Sequence, residues 1–497
     1  MSKIKKLVGQ TAIYGLSTLL VRLINYGLAP IQTRVIENQS DFGIISILYA
    51  YVAFLNVVFM YGMETSFFRH ASNSDNKQFV FKTANSTLFL STVIFATLLI
   101  IFSRPLAAFI NYPDHPEYII LFSLIIAFDT LVNIPFAKLR LDGKPFKYVS
   151  YKLLNVCTNF GLNLFFLAPA FLKDPYMFQS VGFVYHPEKI VLYVLAANLA
   201  ASILTFLVFV PMMLRTGFGI DKPLLNKLWK YGSPLIIVGF AGIVNEVIDR
   251  IMLNSYLPGT AKEVAAKIGI YSACYKIAIF MNLAVQAFRM GAEPFFFKQS
   301  AEHDAKKTYA DVMLYFSIFT LVIFLVVSLN LDFFGLIIGK NFRGGIYIVP
   351  YLLIAYFLLG VFYNLSIWYK VTDNTKYATY ISLLGAFGTI VSTYLLIPHF
   401  DILAGALGTI VGYGSMSVAS YVVGQRIYAI PYDLKKIAFY FIVAMLLYLL
   451  SDYVLKHLID DRYLLFFMNA FLILCFLFLT YLIDIRVLLK KTNHVSQ

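Results

Sequence analysis

Charged residues are scarce in this chain, since Asp, Glu, Lys and Arg together make up 13% of its 497 residues. An average soluble domain has about 25% charged residues and about 45 to 50% apolar ones. This chain is 60% hydrophobic and contains 47 Phe and 35 Tyr. So little charge cannot cover the surface of a water-soluble domain, and the same composition excludes a disordered chain and a collagen-like fibre. The sequence therefore predicts a polytopic membrane protein.

Cysteine, clustered histidine and a nucleotide-binding loop are also missing. The three cysteines, Cys157, Cys274 and Cys475, lie in apolar stretches, which favours small buried side chains over a disulfide framework. All seven His lie in loops or tails without metal-ligand spacing. Gly335 to Lys340 reads G-x-x-x-G-K, which is one residue too short for a phosphate-binding loop and lacks its Ser or Thr. We expect no bound metal and no direct use of ATP.

Long apolar runs are what the chain does contain. A helix needs about 20 mostly apolar residues to cross a bilayer, and the runs are continuous where those of a β-barrel would alternate. The expected fold is all-α, with about 14 transmembrane helices. The predicted spans are 10–30, 42–63, 83–103, 118–137, 148–171, 190–213, 232–256, 268–288, 309–329, 346–368, 377–397, 402–424, 437–455 and 463–483.

The distribution of Lys and Arg predicts the orientation of these spans. With an even number of spans both termini lie on one side, and that side carries 26 of the 40 basic residues, whereas the other side carries ten. Cytoplasmic loops hold the excess of basic residues, so both termini are predicted to be cytoplasmic. The net charge of +14 is explained by this topology, and no nucleic-acid partner is expected.

The sequence repeats itself at low similarity. Gly62 to Arg69 aligns with Gly291 to Lys298 at an offset of 229 residues, matching the Gly, the Glu, two Phe and a final base. The same offset recurs in the pairs Lys147-Tyr148 with Lys376-Tyr377, Tyr151 with Tyr380 and Pro169 with Pro398. We interpret spans 1 to 6 (1–215) as an N-lobe and spans 7 to 12 (216–430) as its parallel copy, followed by an additional helix pair and tail (431–497). Parallel repeats around a central cavity are typical of transporters, although duplication kept only for packing is the alternative.

Two half-motifs carry a family resemblance. Gln32 to Ile36 followed by Asp41-Phe42-Gly43, and Asp249 to Leu253 followed by Gly269 to Ser272, resemble those of polysaccharide (Wzx-type) flippases. These flippases belong to the multidrug/oligosaccharidyl-lipid/polysaccharide exporter superfamily. The resemblance implies a two-lobed carrier that moves undecaprenyl-diphosphate-linked oligosaccharide from the cytoplasmic to the outer leaflet of the bacterial inner membrane. It also implies contact of spans 13 and 14 with the prenyl tail, membrane lipid around the protein, and other polysaccharide assembly proteins as partners.

Two other functions are weighed against this one. A multidrug cation exporter of the same superfamily would line its cavity with acidic and aromatic residues, and the bases inside these spans argue against it. A membrane enzyme such as a polysaccharide polymerase would need a long outer loop with clustered Arg or His. The outer loops here reach only about 18 residues, so we expect a secondary transporter and not an enzyme.

Several polar side chains inside the spans are candidates for the lining of the cavity. Arg22 lies near the middle of span 1 with Asn25 close by, and a guanidinium matches the paired oxygens of a diphosphate; a buried partner for Asp129 is the alternative role. Spacings of three, four and four place a polar row on one face of span 5, consisting of Lys152, Asn155, Asn159 and Asn163. Sugar binding and interhelical hydrogen bonding both explain this row, and Lys152 alone could reach the cytoplasmic surface.

The acidic residues inside the spans are the candidates for ion coupling. Asp129, Glu246 and Asp249 could carry a proton or a sodium ion. Glu246 and Arg250 are four residues apart, so they could pair along span 7. Asp249 and Lys276 are predicted at similar depths of about 10 Å, which suggests an ion pair between spans 7 and 8 with either a structural or a transport role. Lys276 is also a candidate ligand of the diphosphate.

Overall fold

The structure, a computed structural model, describes residues 20–72, 74–300 and 302–485, and all regular structure in these ranges is helical. The first ten α-helices are α1 (20–35), α2 (Gln39–Met60), α3 (Met63–Ser72), α4 (Lys77–Ile101), α5 (Ser103–Phe109), α6 (Pro116–Leu131), α7 (Asn133–Leu141), α8 (Pro145–Phe171), α9 (Ile190–Thr216) and α10 (Lys222–Tyr256). The others are α11 (Ala261–Gln299), α12 (Ala305–Leu329), α13 (Leu331–Phe334), α14 (Val349–Leu365), α15 (Ile367–Val371), α16 (Lys376–Phe400), α17 (Leu403–Ile427), α18 (Leu434–Leu449), α19 (Lys456–Leu458) and α20 (Arg462–Thr480). Short 3-10 helices cover Gln179–Val181, Pro187–Lys189, Gly335–Ile337 and Lys340–Ile348, and π-helical turns cover Leu450–Leu455 and Tyr481–Ile485.

These helices confirm the predicted all-α membrane fold. Among the described residues, twelve helices or helix pairs are long and apolar enough to cross a membrane. The chain is therefore a multi-pass membrane protein. Predicted span 7 corresponds to α10, and the described part of predicted span 1 lies in α1, whereas its residues 10–19 lie outside the described ranges. Neither helix is in that set of twelve, so the number fourteen stays a prediction.

Asparagine and aspartate side chains start several of the helices. The side-chain oxygens of Asn76, Asp221 and Asp461 accept hydrogen bonds of 3.0, 2.8 and 2.8 Å. The donors are backbone N–H groups two or three residues later in the chain. Each such cap satisfies an N–H group that the first helical turn leaves unpaired, which stabilises the helix by about 1 kcal/mol. The sparse polar residues at these loop ends thus define where helices begin.

A glycine contact ends α2 and redirects the chain into α3. Tyr61 and Gly62 have positive φ angles of 31° and 73°, a conformation that glycine adopts without strain. A Cβ atom at Gly62 would lie 2.4 Å from the backbone oxygen of Gly232 in α10. The chain approaches α10 this closely only because Gly62 and Gly232 both lack side chains.

The chain divides into two compact units. The first comprises the described residues up to Ala273 together with Gly339–Phe342 and Thr393–Gly405. The second comprises Cys274–Ile338, Arg343–Ser392 and the described residues from Ala406 onward. The division falls within α11, because α10 and the first turns of α11 pack on α2. The lobes with boundaries at 215 and 430 stay a prediction.

In the second unit, α12 is packed by α14, α18 and α20. The Ser451 hydroxyl donates to Asn469 Oδ1 at 2.6 Å, and Asn469 Nδ2 donates to the carbonyl of Leu329 at 2.6 Å. These two bonds tie the C-terminal helix pair to the end of α12, in a region where unpaired polar groups would be costly. The predicted spans 13 and 14 therefore form part of the second unit.

Candidate substrate-binding site

In the first unit, α1 and α10 present polar side chains next to each other. Arg22 is half-buried, whereas Asn25 and Glu246 are exposed. The hydroxyl group of Tyr26 lies within the electrostatic reach of both Arg22 and Glu246. A basic and an acidic side chain in the apolar part of a membrane protein need a polar environment or an ion-pair partner. Here both Arg22 and Glu246 interact electrostatically with the hydroxyl group of Tyr26. These four side chains form a polar face on α1 and α10.

The amides of span 5 lie in α8 and make contacts to two other helices. Asn155 Nδ2 donates to Thr205 Oγ1 in α9 at 3.0 Å. Asn163, which is 1% exposed, donates to Asn159 Oδ1 at 2.9 Å and accepts a bond of 3.1 Å from Gln32 of α1. Part of the row thus makes interhelical hydrogen bonds. Asn155 and Asn159 remain half-buried, so a role in sugar binding stays a prediction.

Asp129 of α6 lies near a base of α8. The Ser202 hydroxyl of α9 donates to Asp129 Oδ1 at 2.7 Å, and the carboxylate also interacts electrostatically with Lys152. The Lys152 ammonium lies 4.3 Å from the centre of the Phe136 ring, at cation–π distance. Asp129 and Lys152 thus lie within electrostatic reach of each other inside the helix bundle.

Asp249 is buried, with 2% of its surface exposed, and is held by its neighbours. Its Oδ2 accepts a bond of 2.6 Å from the Tyr271 hydroxyl, and its Oδ1 lies 3.4 Å from Arg250 Nη1. Arg250 also donates to the backbone carbonyl of Glu246 at 3.5 Å. Lys276 lies in the second unit, so the Asp249–Lys276 pair stays a prediction.

Gly43 of the first half-motif and Gly269 of the second lie at a close contact between two helices of the first unit. Gly43 lies in α2 and Gly269 in α11. A Cβ atom at Gly43 would lie 1.8 Å from the carbonyl oxygen of Ala265, and one at Gly269 would lie 2.1 Å from that of Gln39. Glycine is therefore required on both helices, and the adjacent Tyr271 reaches Asp249 from the same helix. The motif residues fix the position of α11 against α2 and α10.

An ion pair that was not predicted from the sequence lies at the predicted cytoplasmic end of the first unit. Glu64 of α3 pairs with Arg140 of α7. The guanidinium of Arg140 also lies 4.8 Å from the centre of the Phe68 ring. Because span 2 and span 4 are each broken before their cytoplasmic end, α3 and α7 can turn toward each other there.

The second unit contains the counterpart of this pair. Glu293 Oε1 lies 2.5 Å from Lys370 Nζ and 3.5 Å from Arg289 Nε. Arg289 also donates to the Tyr363 hydroxyl at 3.2 Å. Glu64 and Glu293 are the glutamates that the internal repeat aligns. The repeat was the signal for this pair, since it placed both acids at the same point of the two copies.

The described ranges, 20–72, 74–300 and 302–485, contain no group of three or more His, Cys, Asp or Glu side chains that could hold a metal ion. These ranges form a multi-pass helical membrane protein that has charged and amide side chains in its membrane-crossing part. A family model described as "Polysaccharide biosynthesis protein" matches residues 32–342. The chain belongs to this family, which confirms the resemblance inferred from the half-motifs.

Several solved transporter structures have the same fold as this chain. A lipid II flippase MurJ in an inward closed conformation superimposes with a TM-score of 0.71 and 14% identity, covering 95% of this chain and 99% of that one. An inward-facing multidrug resistance MATE family transporter of the MOP superfamily gives a TM-score of 0.55 at 14% identity, covering 84% and 95%. The Vibrio cholerae MATE transporter VcmN in the bent form gives 0.52 at 14% identity, covering 85% and 96%. The search of curated proteins gave no match.

Proposed function

We propose that this protein is a flippase that moves undecaprenyl-diphosphate-linked oligosaccharide from the cytoplasmic to the outer leaflet of the bacterial inner membrane, with both termini in the cytoplasm. Membership in a polysaccharide biosynthesis family supports a glycan substrate. The shared fold with a protein named lipid II flippase supports movement of a lipid-linked glycan. The charge asymmetry of the loops supports the orientation.

The observation that carries the proposal is the polar face of α1 and α10. An ionised group at the centre of a bilayer costs about 2.5 to 3.5 kcal/mol on insertion scales, so its presence there points to a polar cavity. Arg22 stands on this face with exposed Asn25 beside it. A guanidinium can donate two parallel bonds to the oxygens of a diphosphate, which a lysine cannot do.

In the proposed mechanism the head group enters a hydrated cavity and the prenyl tail stays in the lipid. Arg22 holds the diphosphate, and the half-buried amides Asn155 and Asn159 bind sugar hydroxyls. Rocking of one repeat against the other then changes the side to which the cavity opens, and rigid-body motion of repeats is the usual means of alternating access. Spans 13 and 14 guide the tail.

If transport is coupled to a proton or sodium ion, Glu246 is the acid best placed to carry it. Asp129 accepts a hydrogen bond from Ser202 and lies within electrostatic reach of Lys152. Asp249 is buried against Tyr271. Glu246 is exposed on the same polar face as Arg22, so ion binding there would change the field that the diphosphate meets.

A multidrug cation exporter is the second candidate function, because MATE transporters share the fold. Such a protein would bind organic cations through the carboxylates of its cavity. Arg22 on the polar face repels cations, whereas it attracts a diphosphate. A polysaccharide polymerase is a weaker third candidate, since the fold matches are to transporters.

The test is accumulation of lipid-linked oligosaccharide on the cytoplasmic leaflet. Depletion of the protein should cause this accumulation, and Arg22→Gln should reproduce it. Loss of a charged hydrogen bond costs about 1.5 to 3 kcal/mol, which predicts transport slowed about 10- to 100-fold. Arg22→Lys should retain part of the rate, and Lys189→Gln, which removes an exposed loop base, is the matched control with full transport. Normal distribution of the lipid-linked oligosaccharide after depletion would refute the flippase proposal.

A further inference from the structure

The first unit contains a cavity that the flippase mechanism does not use. It has a volume of about 590 Å³ and lies between the segment that joins α1 to α2 and the connection from α8 to α9. Its polar lining side chains are Glu37, Asn38, Asp41, Lys173, Tyr176, Tyr185 and His186. Both bounding segments fall on the face that the loop charges predict to be extracytoplasmic. Small-molecule sites have volumes of about 300 to 1,000 Å³, so the cavity is large enough for a ligand.

The α8–α9 connection is held in place by its own contacts. The ring of Phe178 stacks on that of Phe165 in α8 at 4.4 Å between centroids. The backbone N–H of Tyr185 donates to the carbonyl of Pro175 at 3.0 Å, and that of His186 donates to the Tyr193 hydroxyl in α9 at 3.1 Å. Because ring stacking and backbone hydrogen bonds hold this wall in place before a ligand binds, less conformational entropy is lost on binding.

The lining combines hydrogen-bonding groups with aromatic rings. The carboxylates of Glu37 and Asp41 accept hydrogen bonds, and the Tyr176 ring is 62% exposed. Burial raises the pKa of Tyr185 to about 12, assisted by Tyr193 and the two carboxylates, so its hydroxyl stays a donor at neutral pH. Sugars present hydroxyl groups around the edge of an apolar ring face, and this lining matches both features.

Charge decides which part of a lipid-linked oligosaccharide fits. Two carboxylates, Glu37 and Asp41, line the cavity together with the ammonium group of Lys173 and the imidazole of His186. The two carboxylates would repel a diphosphate, whereas they would accept hydrogen bonds from uncharged sugar hydroxyls. The cavity is therefore suited to the glycan and unsuited to the carrier phosphate.

We propose that this cavity is an exit site that binds the saccharide of the transported lipid-linked oligosaccharide at the outer face. The inference rests on the proposed function, since it takes the glycan from that substrate. Binding at an exit site must be weak enough for release, so we expect a dissociation constant near the millimolar range, which corresponds to about −4 kcal/mol.

The experiment measures protection of a cysteine in the cavity from a water-soluble maleimide. Cys157, Cys274 and Cys475 are first replaced by serine or alanine, and Tyr176→Cys is added to the full chain in lipid nanodiscs. The probe is the reducing oligosaccharide that mild acid releases from the lipid carrier of the polysaccharide-producing cells. At about ten times the dissociation constant only about one site in eleven is free, so labelling at position 176 should slow about tenfold.

Gln179→Cys provides the matched control, because residue 179 is exposed on the same connection but does not line the cavity. Its labelling should not change with the saccharide. His186→Cys is a second reporter on the cavity wall and covers the case in which the first variant fails to fold. Unchanged labelling at both wall positions, or equal protection by polyethylene glycol of the same size, would overturn the exit site.

Transport assays on the same variants separate this inference from the proposed function. If lipid-linked oligosaccharide still crosses the membrane but the saccharide gives no protection, only the exit site is wrong. If protection is seen in a protein that does not transport, the saccharide site stands and the flippase proposal falls.

Discussion

Replacing Gly269 by alanine is expected to destabilise the protein, because this position has no room for one more carbon atom. The added Cβ would lie 2.1 Å from the carbonyl oxygen of Gln39 and 3.1 Å from the backbone nitrogen of Gly43. Both atoms belong to the backbone near the start of α2, so no side chain can turn away to make space.

The close approach of the added Cβ to the Gln39 carbonyl oxygen determines how much stability the substitution should remove. Real Cβ atoms stay at least 3.0 Å from such an oxygen, so α2 and α11 must separate by about 1 Å. Overpacking of this kind costs about 1 to 3 kcal/mol. Alanine favours a helix over glycine by about 1 kcal/mol, which lowers the net loss but does not cancel it at the upper end of that range.

Gly291→Ala is the matched control, since Gly291 lies in the same helix and a Cβ there would meet nothing within 4 Å. This variant gains the helix propensity without the clash, so its unfolding temperature should equal or exceed that of the parent protein. The assay is thermal unfolding of both variants in the same detergent, followed by size-exclusion chromatography. Equal unfolding temperatures for the two variants would refute the packing argument for the half-motifs.

Three other contacts lead to predictions of the same kind. Exchanging the charges by Glu64→Lys and Arg140→Glu together should recover most of the stability that either change alone removes, about 1 kcal/mol for a half-exposed pair, as measured by a double-mutant cycle in thermal unfolding. Asp129→Asn should lower the unfolding temperature because it removes the acid that lies within electrostatic reach of the Lys152 ammonium, and Lys152→Met in that variant should restore part of the loss. Tyr271→Phe removes a hydroxyl donor from a buried carboxylate and should cost about 1.5 to 3 kcal/mol, whereas Tyr256→Phe on the exposed end of α10 should cost little in the same assay.

The fold could be predicted from composition and hydropathy, because a lipid environment leaves few alternatives. Backbone polar groups must be paired inside the membrane, so long apolar runs become helices whatever their exact residues. The helix breaks at Gly62 and Val132 were not predicted, since apolar runs continue across them. The break at Gly62 lies where the chain closely approaches Gly232 of α10, and a hydropathy pattern does not show such a tertiary contact.

The candidate site could be predicted less completely. Spacing alone placed Lys152 and Asn155 on one face of a helix, but spacing does not say which helix that face meets. In the structure Asn155 meets Thr205, and Lys152 meets Phe136. The sequence could not predict which residues of other helices these side chains contact, because such contacts depend on how the helices rotate and cross. Part of the row therefore forms hydrogen bonds between helices that hydropathy could not reveal, and its role in sugar binding stays a prediction.

The two ion pairs that the repeat shares restrict the choice of residues for transport. Glu64 holds Arg140 and Glu293 holds Lys370, each inside its own unit and near the predicted cytoplasmic ends of the spans. The predicted repeat aligns Glu64 with Glu293, and in the structure each of these acids pairs with a base of its own unit. A carboxylate that already holds a base at contact distance attracts a second cation only weakly. Glu64 and Glu293 therefore act as structural ion-pair partners within their own units. Under the proposed function we expect the coupling acid to be Glu246, which lies on the polar face beside Arg22, where a change of charge would act directly on the proposed diphosphate site.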